Sequence, residues 1–454
     1  MLDGFFYFGG HMKKTLLQQL RSGTPPKWLG ELAKREAISQ EELIQNIMKG
    51  EAVALGHRTG RGPMIVGKGV KTKVNANIGA STLTSNLDTE LKKLDAALKA
   101  GADAIMDLSL AENIKEIRAR ILERSPIPVG TVPIYEEATL ARTRRGATVR
   151  LDPEEFLDVI EQQMADGVDF VTVHCGVTKE LVDQLETRPR LAGIVSRGGA
   201  ITAAYIRHTG RENPLYEYYD RLLDIAETYD CVLSLGDGMR PGAIKDASDL
   251  FEIGEQEVLG ELQRCALERG VMSMIEGPGH VPLNLVAESV KRIKRLTNNA
   301  PLYLLGPLVT DVAPGYDHIT SAIGAAVAGM NGADFICYVT PSEHLGLPMP
   351  SDVYEGVIAA RIAAHAADIT KGLKSAIKWD EELSTARRDL DWDRQIALSL
   401  DPERAERIRK ERSGQGTCTM CGEYCVFLVL KDVEINTIRD GRDHASPHGH
   451  ARDE

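Results

Sequence analysis

The sequence predicts an α/β chain built on a (βα)8, TIM-type barrel, with a small helical domain ahead of it and a C-terminal helical arm bearing a cysteine motif. Three observations predict this. Between about residues 73 and 340, short β-branched runs alternate with amphipathic helical stretches such as 87–99 and 153–166. Nearly every run ends in a polar, glycine-rich loop, the place where such a barrel carries its functional groups. A doubly wound open sheet would instead concentrate function at one switch point. Finally, Cys418, Cys421 and Cys425 fall close together between a charged helical run and a polar tail.

Bulk properties narrow the function. With 454 residues the chain exceeds one typical domain, and its formal net charge of −12 argues against a general binder of nucleic acid or of a membrane surface. No apolar run approaches the roughly 20 residues that span a bilayer, and no signal peptide is evident. Of seven cysteines, Cys175, Cys231, Cys265 and Cys337 are scattered, and Cys231 and Cys337 sit in apolar runs expected to bury a small thiol. A cytoplasmic, reduced location is expected.

Taken in order, residues 1–12 end in Gly10-His11-Met12 and are expected to be a cloning remnant. Residues 13–70 read as short helices: Pro25 and Pro26 introduce one, and Ser39 to Glu42 form a capping box ahead of another that Gly50 ends. The barrel is assigned to 71–350. Its runs end near Gly79, Ser109, Tyr135, Gly176, Gly199, Gly242, His280, Leu308 and His344, nine candidates for eight places, so one strand is expected outside the barrel. Residues 351–430 are helical and carry the cysteines, and 431–454 read as a disordered tail.

Several loops bear chemistry. His280 and His344, at what reads as adjacent strand ends and flanked by Glu276 and Glu343, suit zinc or iron. Ser196-Arg197-Gly198-Gly199, after the apolar run 191–195, offers a hydroxyl, a guanidinium and open amides to a phosphate. Gly236-Asp237-Gly238-Met239-Arg240 adds a second guanidinium and a carboxylate for ribose hydroxyls. Glu276, His174, Tyr135 and Tyr303 are candidates for proton transfer or positioning. Three close thiolates suit a 4Fe-4S cluster with one open iron, or a zinc knuckle completed by His444, His448 or His450.

A series of ordered motifs then resembles the thiamin pyrimidine synthase superfamily over about 70–428. They are Asn75-Ala76-Asn77-Ile78-Gly79, Gly130 to Tyr135, Val195 to Gly199, Ser234 to Gly238, Glu276 to His280, Ala313 to His318, and the cysteine stretch. The resemblance implies an atypical radical S-adenosylmethionine enzyme acting on 5-aminoimidazole ribotide. It implies a substrate site of Asn77, Met106, Tyr135, His174, Ser196, Arg197, Gly198, Asp237, Gly238, Met239, Arg240, Glu276 and Tyr303, with Glu276 and Tyr303 catalytic. It further implies a divalent metal, usually zinc, on His280 and His344, and a 4Fe-4S cluster on Cys418, Cys421 and Cys425. An external electron donor and a homodimer, with the cluster arm over a barrel mouth, complete the implied partners.

Two departures from the family's pattern matter, the first for the shape of the cluster loop and the second for the product. Three residues separate Cys421 from Cys425, where four are usual. Leu110-Ala111-Glu112, Glu136, Met239 and the loop from Ala200 also differ from the pyrimidine synthases, at positions expected to read the rearranging ribose and imidazole. They favour the 5-hydroxybenzimidazole synthase paralogue, which makes a lower-ligand base of anaerobic cobamides. Phosphomethylpyrimidine synthesis from the same ribotide is the alternative, and a non-radical zinc-dependent barrel lyase or hydrolase is a third.

Overall fold

The computed structural model describes residues 14–84, 86–111, 113–412 and 416–430. The expected cloning remnant and the expected disordered tail, with its three histidines, lie outside these. The chain divides into two compact units, Met1–Leu373 and Lys374–Glu454.

The first unit is a closed parallel barrel. Its strands are β3 (Lys73–Ile78), β4 (Ala104–Asp107), β5 (Val129–Thr131), β6 (Phe170–Val173), β7 (Val232–Leu235), β8 (Ser273–Gly277), β9 (Leu302–Leu305) and β10 (Phe335–Cys337). They follow one another around the ring, and β10 closes onto β3 with Cys337 opposite Asn75. Nearly every strand residue is buried, as expected when helices cover the outside and side chains fill the inside. The ninth candidate strand is resolved: 191–195 is irregular chain leading into the helix Arg197–Thr209. Its apolar residues misled because Leu191 and Val195 are exposed, at 75% and 43%.

The segment ahead of the barrel corrects the helices-only reading of 13–70. Helices Leu16–Arg21, Lys27–Glu36 and Gln40–Met48 are followed by an antiparallel hairpin, β1 (Ala52–Leu55) and β2 (Met64–Gly67). Ser39 does cap its helix, accepting from the Glu42 amide at 3.1 Å, and Gly50 follows it with φ +73°. The hairpin leaves no periodic signal in the sequence, because its strands are only four residues long and buried on both faces, so they show no alternation.

That hairpin positions the site by closing the opposite end. In its connection, Arg61 pairs with Asp169 at 3.0 Å, Thr59 donates to Asp169 at 2.5 Å, and His57 Nε2 meets Asp230 at 2.9 Å. Asp169 and Asp230 stand just before β6 and β7, so the hairpin covers the N-terminal ends of the strands. A recurring Gly-x-Asp ahead of β4, β6 and β10 does similar work. Asp103, Asp169 and Asp334 accept from the amides of Val74, Val129 and Leu302, the neighbouring strands, at 2.8–2.9 Å. Above this end the interior is filled by Phe170, Phe335 and Tyr303, with ring centroids 6.3 Å and 4.6 Å apart in sequence along that chain of contacts. Gly130 is required beside Phe170, where a Cβ would come within 2.3 Å of the ring. The C-terminal mouth, lined by residues such as Asn77 and Glu276, stays open.

The long helix Pro350–Thr370 belongs to the first unit, where it packs on Asp317–Met330 and Leu87–Ala100. The second unit contains helices Lys374–Arg388, Trp392–Leu398 and Pro402–Glu411, then the cysteine stretch. Among the described residues, no helix is long and apolar enough to cross a membrane.

Candidate active site

The open mouth holds a cavity of about 240 Å³, lined by Asn77, Met106, Tyr135, His174, Arg197, Asp237, Arg240, Glu276 and Tyr303, nine of the residues expected there. The strands deliver them in register: Asn77 lies opposite Met106, and Glu276 opposite Tyr303. Leu108, Val132, Thr172, Val195, Gly277, Leu305, Cys337 and Glu343 complete the wall.

Its floor is a polar network. Asn75 Nδ2 donates to Tyr303 Oη at 2.7 Å and to Asn77 Oδ1 at 2.8 Å, while Asn77 Nδ2 donates to Cys337 Sγ at 2.9 Å. Burial holds the Tyr303 hydroxyl well above the usual phenol range and pushes the Cys337 thiol up to about 12, so both are protonated at neutral pH. Cys337, expected as a small buried thiol, is buried and is also part of the wall.

Glu276 receives Thr172 Oγ1 at 2.9 Å and Ser234 Oγ at 3.2 Å on the same oxygen. Burial raises its pKa and Arg240 opposes the rise, which suits a carboxyl that accepts or donates a proton. Asp237 is raised further, again by burial, although Arg240 Nη1 lies 3.0 Å from its Oδ1, and its Oδ2 has no partner. His174 is buried beside Arg240 with Nδ1 unpartnered, and burial first, then Arg240, lower its pKa to about 3. It is a neutral imidazole at working pH. Arg197 lies over the Tyr135 ring, 4.9 Å from its centroid, leaving its charge at the mouth.

The phosphate-suited loop is the start of a helix. Ser196 caps Arg197–Thr209, its Oγ accepting from Gly199 N at 3.1 Å, so the first amides of a 13-residue helix and the Arg197 guanidinium lie beside the cavity. Ser196 and Gly198 support this wall without lining it. Gly198 is packed on His174, and Gly199 on the backbone of Gly238. Met239 is fully buried and does not line the cavity, although its amide donates to Glu255.

The positions expected to read the product lie elsewhere. Glu136 faces away from the cavity, buried in ion pairs with Arg118 at 2.7 Å and Lys115 at 3.3 Å. Leu110 packs on the hydrophobic core, and neither it, Ala200 nor Met239 lines the cavity. Glu112 lies outside the described residues. None of these described positions lines the cavity, in contrast to the expectation that they read the ribose and imidazole. A stretch next to a site motif need not face the site, because successive residues of a helix point around its axis.

His280 and His344 are brought together, with ring centroids 5.4 Å apart and an interplanar angle of 58°. They do not extend from adjacent strands: β9 separates β8 from β10, and the two loops reach across it. Asp311 Oδ1 lies 2.8 Å from His280 Nδ1, and Asp317 Oδ1 lies 3.0 Å from His344 Nδ1. Carboxylates on both Nδ1 atoms leave the Nε2 atoms for a metal, the usual outer-shell pattern for imidazole ligands. Among the described residues no set of three His, Cys, Asp or Glu side chains is gathered for one ion, so such a metal would keep open positions.

In the second unit, Arg409 stacks on Trp392 at 3.8 Å and donates to Thr417 O at 2.9 Å, and Trp392 Nε1 donates to Gly416 O at 2.8 Å. These contacts tether the chain entering the cysteine stretch. Gly422, with φ +56°, starts a short turn to Tyr424, and its amide donates to Cys418 O at 3.1 Å. The Cys421 and Met420 amides lower the Cys418 pKa, favouring the thiolate an iron cluster needs. All three thiols are free. A cluster bonds each thiolate to a different iron, so it does not require the three sulfurs to converge as one ion would, and the donor set fits.

A model of the radical SAM ThiC family matches residues 15–432, a span that includes both the barrel and the three cysteines. The chain is 50% identical over 421 residues to a phosphomethylpyrimidine synthase of Desulforamulus reducens, covering 92% of this chain and 97% of that one. It is 52% identical over 420 residues to one from Moorella thermoacetica, at 92% and 97% coverage. It is 52% identical over 422 residues to one from Carboxydothermus hydrogenoformans, at 92% and 98%.

Proposed function

The chain belongs to the radical SAM ThiC family, whose enzymes imply a 4Fe-4S cluster and S-adenosylmethionine, and we propose that it is a phosphomethylpyrimidine synthase of thiamin biosynthesis acting on 5-aminoimidazole ribotide. The observation that carries the choice is the near-full-length identity of about half to enzymes bearing that name. The placement of Glu136, Leu110, Ala200 and Met239 outside the cavity wall weakens the argument for 5-hydroxybenzimidazole as product.

In this reading the ribotide phosphate lies against Arg197 and the first amides of helix Arg197–Thr209, with Arg240 supplying a second cation. Asp237 and Glu276 accept hydrogen bonds from ribose hydroxyls and the amino-imidazole. Neutral His174 and the protonated Tyr303 hydroxyl orient the ring, and Glu276 is the group suited to move a proton. Cys418, Cys421 and Cys425 hold the cluster, which when bound supplies the electron that splits S-adenosylmethionine. His280 and His344 hold one divalent metal, zinc by the softness of the ligand pair and its carboxylate backing. A homodimer and an external electron donor belong to the same proposal.

Product analysis tests it. Anaerobically reconstituted enzyme, reduced with S-adenosylmethionine and ribotide, is expected to release 5′-deoxyadenosine and a phosphorylated aminopyrimidine by mass spectrometry. A phosphate-free benzimidazole phenol would overturn the product, and colourless protein with stoichiometric zinc on the cysteines would overturn the radical chemistry.

A further inference from the structure

Glu255 stands on helix Leu250–Arg269, behind the cavity and outside its wall. It is 2% exposed, and Met239 N donates to its Oε2 at 2.7 Å, while the nearby Gly238 amide also favours the charged form of this carboxyl. The other oxygen, Oε1, is buried without a partner. The turn it holds is the one that presents Asp237 and Arg240 to the cavity.

The turn touches the other anion-suited element directly. A Cβ on Gly199 would come within 2.1 Å of Gly238 O, and a Cβ on Gly238 within 2.2 Å of Val177. The backbone of the turn and the start of helix Arg197–Thr209 are therefore in van der Waals contact with no side chain between them. A shift of the turn moves Arg240 and presses on the amides beside Arg197. Arg190 adds a weaker hold, its Nη1 donating to Arg240 O at 3.4 Å.

We propose that Glu255 is a positioning residue that sets the phosphate end of the substrate site, fixing the turn Asp237–Arg240 against the first turn of helix Arg197–Thr209. The inference rests on the ribotide reading above and goes beyond it. Burial pushes the Glu255 carboxyl up to about 8, opposed by the two amides and by Arg190 and Arg240. The group is thus mainly uncharged near neutrality and does not compete with the substrate phosphate for Arg240. What the turn requires of it is an acceptor oxygen at the right reach, which glutamine also has.

The test compares the dissociation constants of 5-aminoimidazole ribotide and its unphosphorylated riboside, by calorimetry on the cluster-loaded enzyme. Glu255→Ala is expected to weaken ribotide binding by about tenfold or more and riboside binding by less than about threefold, because a displaced cation loses a charge-assisted contact only the phosphate makes. Glu255→Gln is expected to stay within about threefold of wild type for both. Should Glu255→Ala not fold, Glu255→Asp, which withdraws the carboxyl from the Met239 amide, carries the same expectation as the alanine variant. Equal losses for the two ligands, or an unchanged ribotide affinity, would overturn the role. Wild-type enzyme that does not prefer ribotide over riboside would instead overturn the ribotide reading itself.

Discussion

Gly198 lies against the imidazole of His174 so closely that a Cβ there would stand 2.1 Å from Cε1 and 2.4 Å from Nδ1. The glycine lets the first turn of a helix and a barrel strand end share one corner of the cavity. Gly198→Ala is expected to push the ring out of place. A misplacement of about 1 Å costs on the order of 10²-fold in rate, and overpacking costs roughly 1–3 kcal/mol of stability. Steady-state kinetics with ribotide, alongside thermal unfolding, check this; an alanine variant with wild-type kcat/KM would show that the corner is slack.

His174 also links the site to acid stability. Its folded pKa of about 3 lies below the unfolded 6.5, so between those values the unfolded chain binds a proton that the folded chain refuses. Stability from this group is present above pH 6.5 and is lost progressively as pH falls toward 3. From pH 7 to pH 5 the loss is about 2 kcal/mol. Urea titrations at the two pH values should show His174→Gln losing less stability than wild type by about that amount.

Lys93 and Glu90 form an ion pair of 2.7 Å with side chains 0% and 2% exposed, and Glu90 Oε2 accepts the Gly79 amide at 2.8 Å. The pair anchors the loop after β3, just beyond Asn77. Lys93→Met leaves the carboxylate buried without its cation and is expected to cost about 3–5 kcal/mol. Glu90→Gln/Lys93→Met should lose less, read from denaturant midpoints. Equal losses in the single and double variants would argue against charge burial as the cause.

The carboxylates behind the histidine pair give a prediction on metal affinity. Asp317→Ala removes the partner of His344 Nδ1 and is expected to weaken zinc binding by about 10–100-fold. Competition with a chromophoric chelator, in enzyme whose cysteines already hold the cluster, measures it. His344→Ala should abolish the same binding; zinc held equally by all three proteins would place the metal elsewhere.

Much of the fold was legible because it rests on local patterns. Asp152 caps the helix Pro153–Ala165, accepting from Glu154 and Glu155, and Gly101 ends Leu87–Ala100 at φ +85°. Both ends lie within one residue of the ranges read from sequence. The hairpin β1–β2 was not legible, since four-residue strands buried on both faces look like any short apolar run. The cavity was legible where a motif ends a strand, as at Asn77 and Glu276, because a strand end in a barrel has one place to point. Thr172, Ser234 and Cys337 were missed: each is an ordinary strand residue whose neighbour across the ring gives it a role.

The cysteine stretch, the ordered loop motifs and the strand–helix alternation were determined by the sequence alone, since ligand type, capping and hydrophobic period are properties of neighbouring residues. Which side chains meet was decided by the closed ring. It brings His280 and His344 together across an intervening strand, and it turns Glu136 away from the cavity that its neighbour Tyr135 lines. Contacts between residues far apart in the chain depend on barrel closure and helix phase, and neither is written in any single stretch.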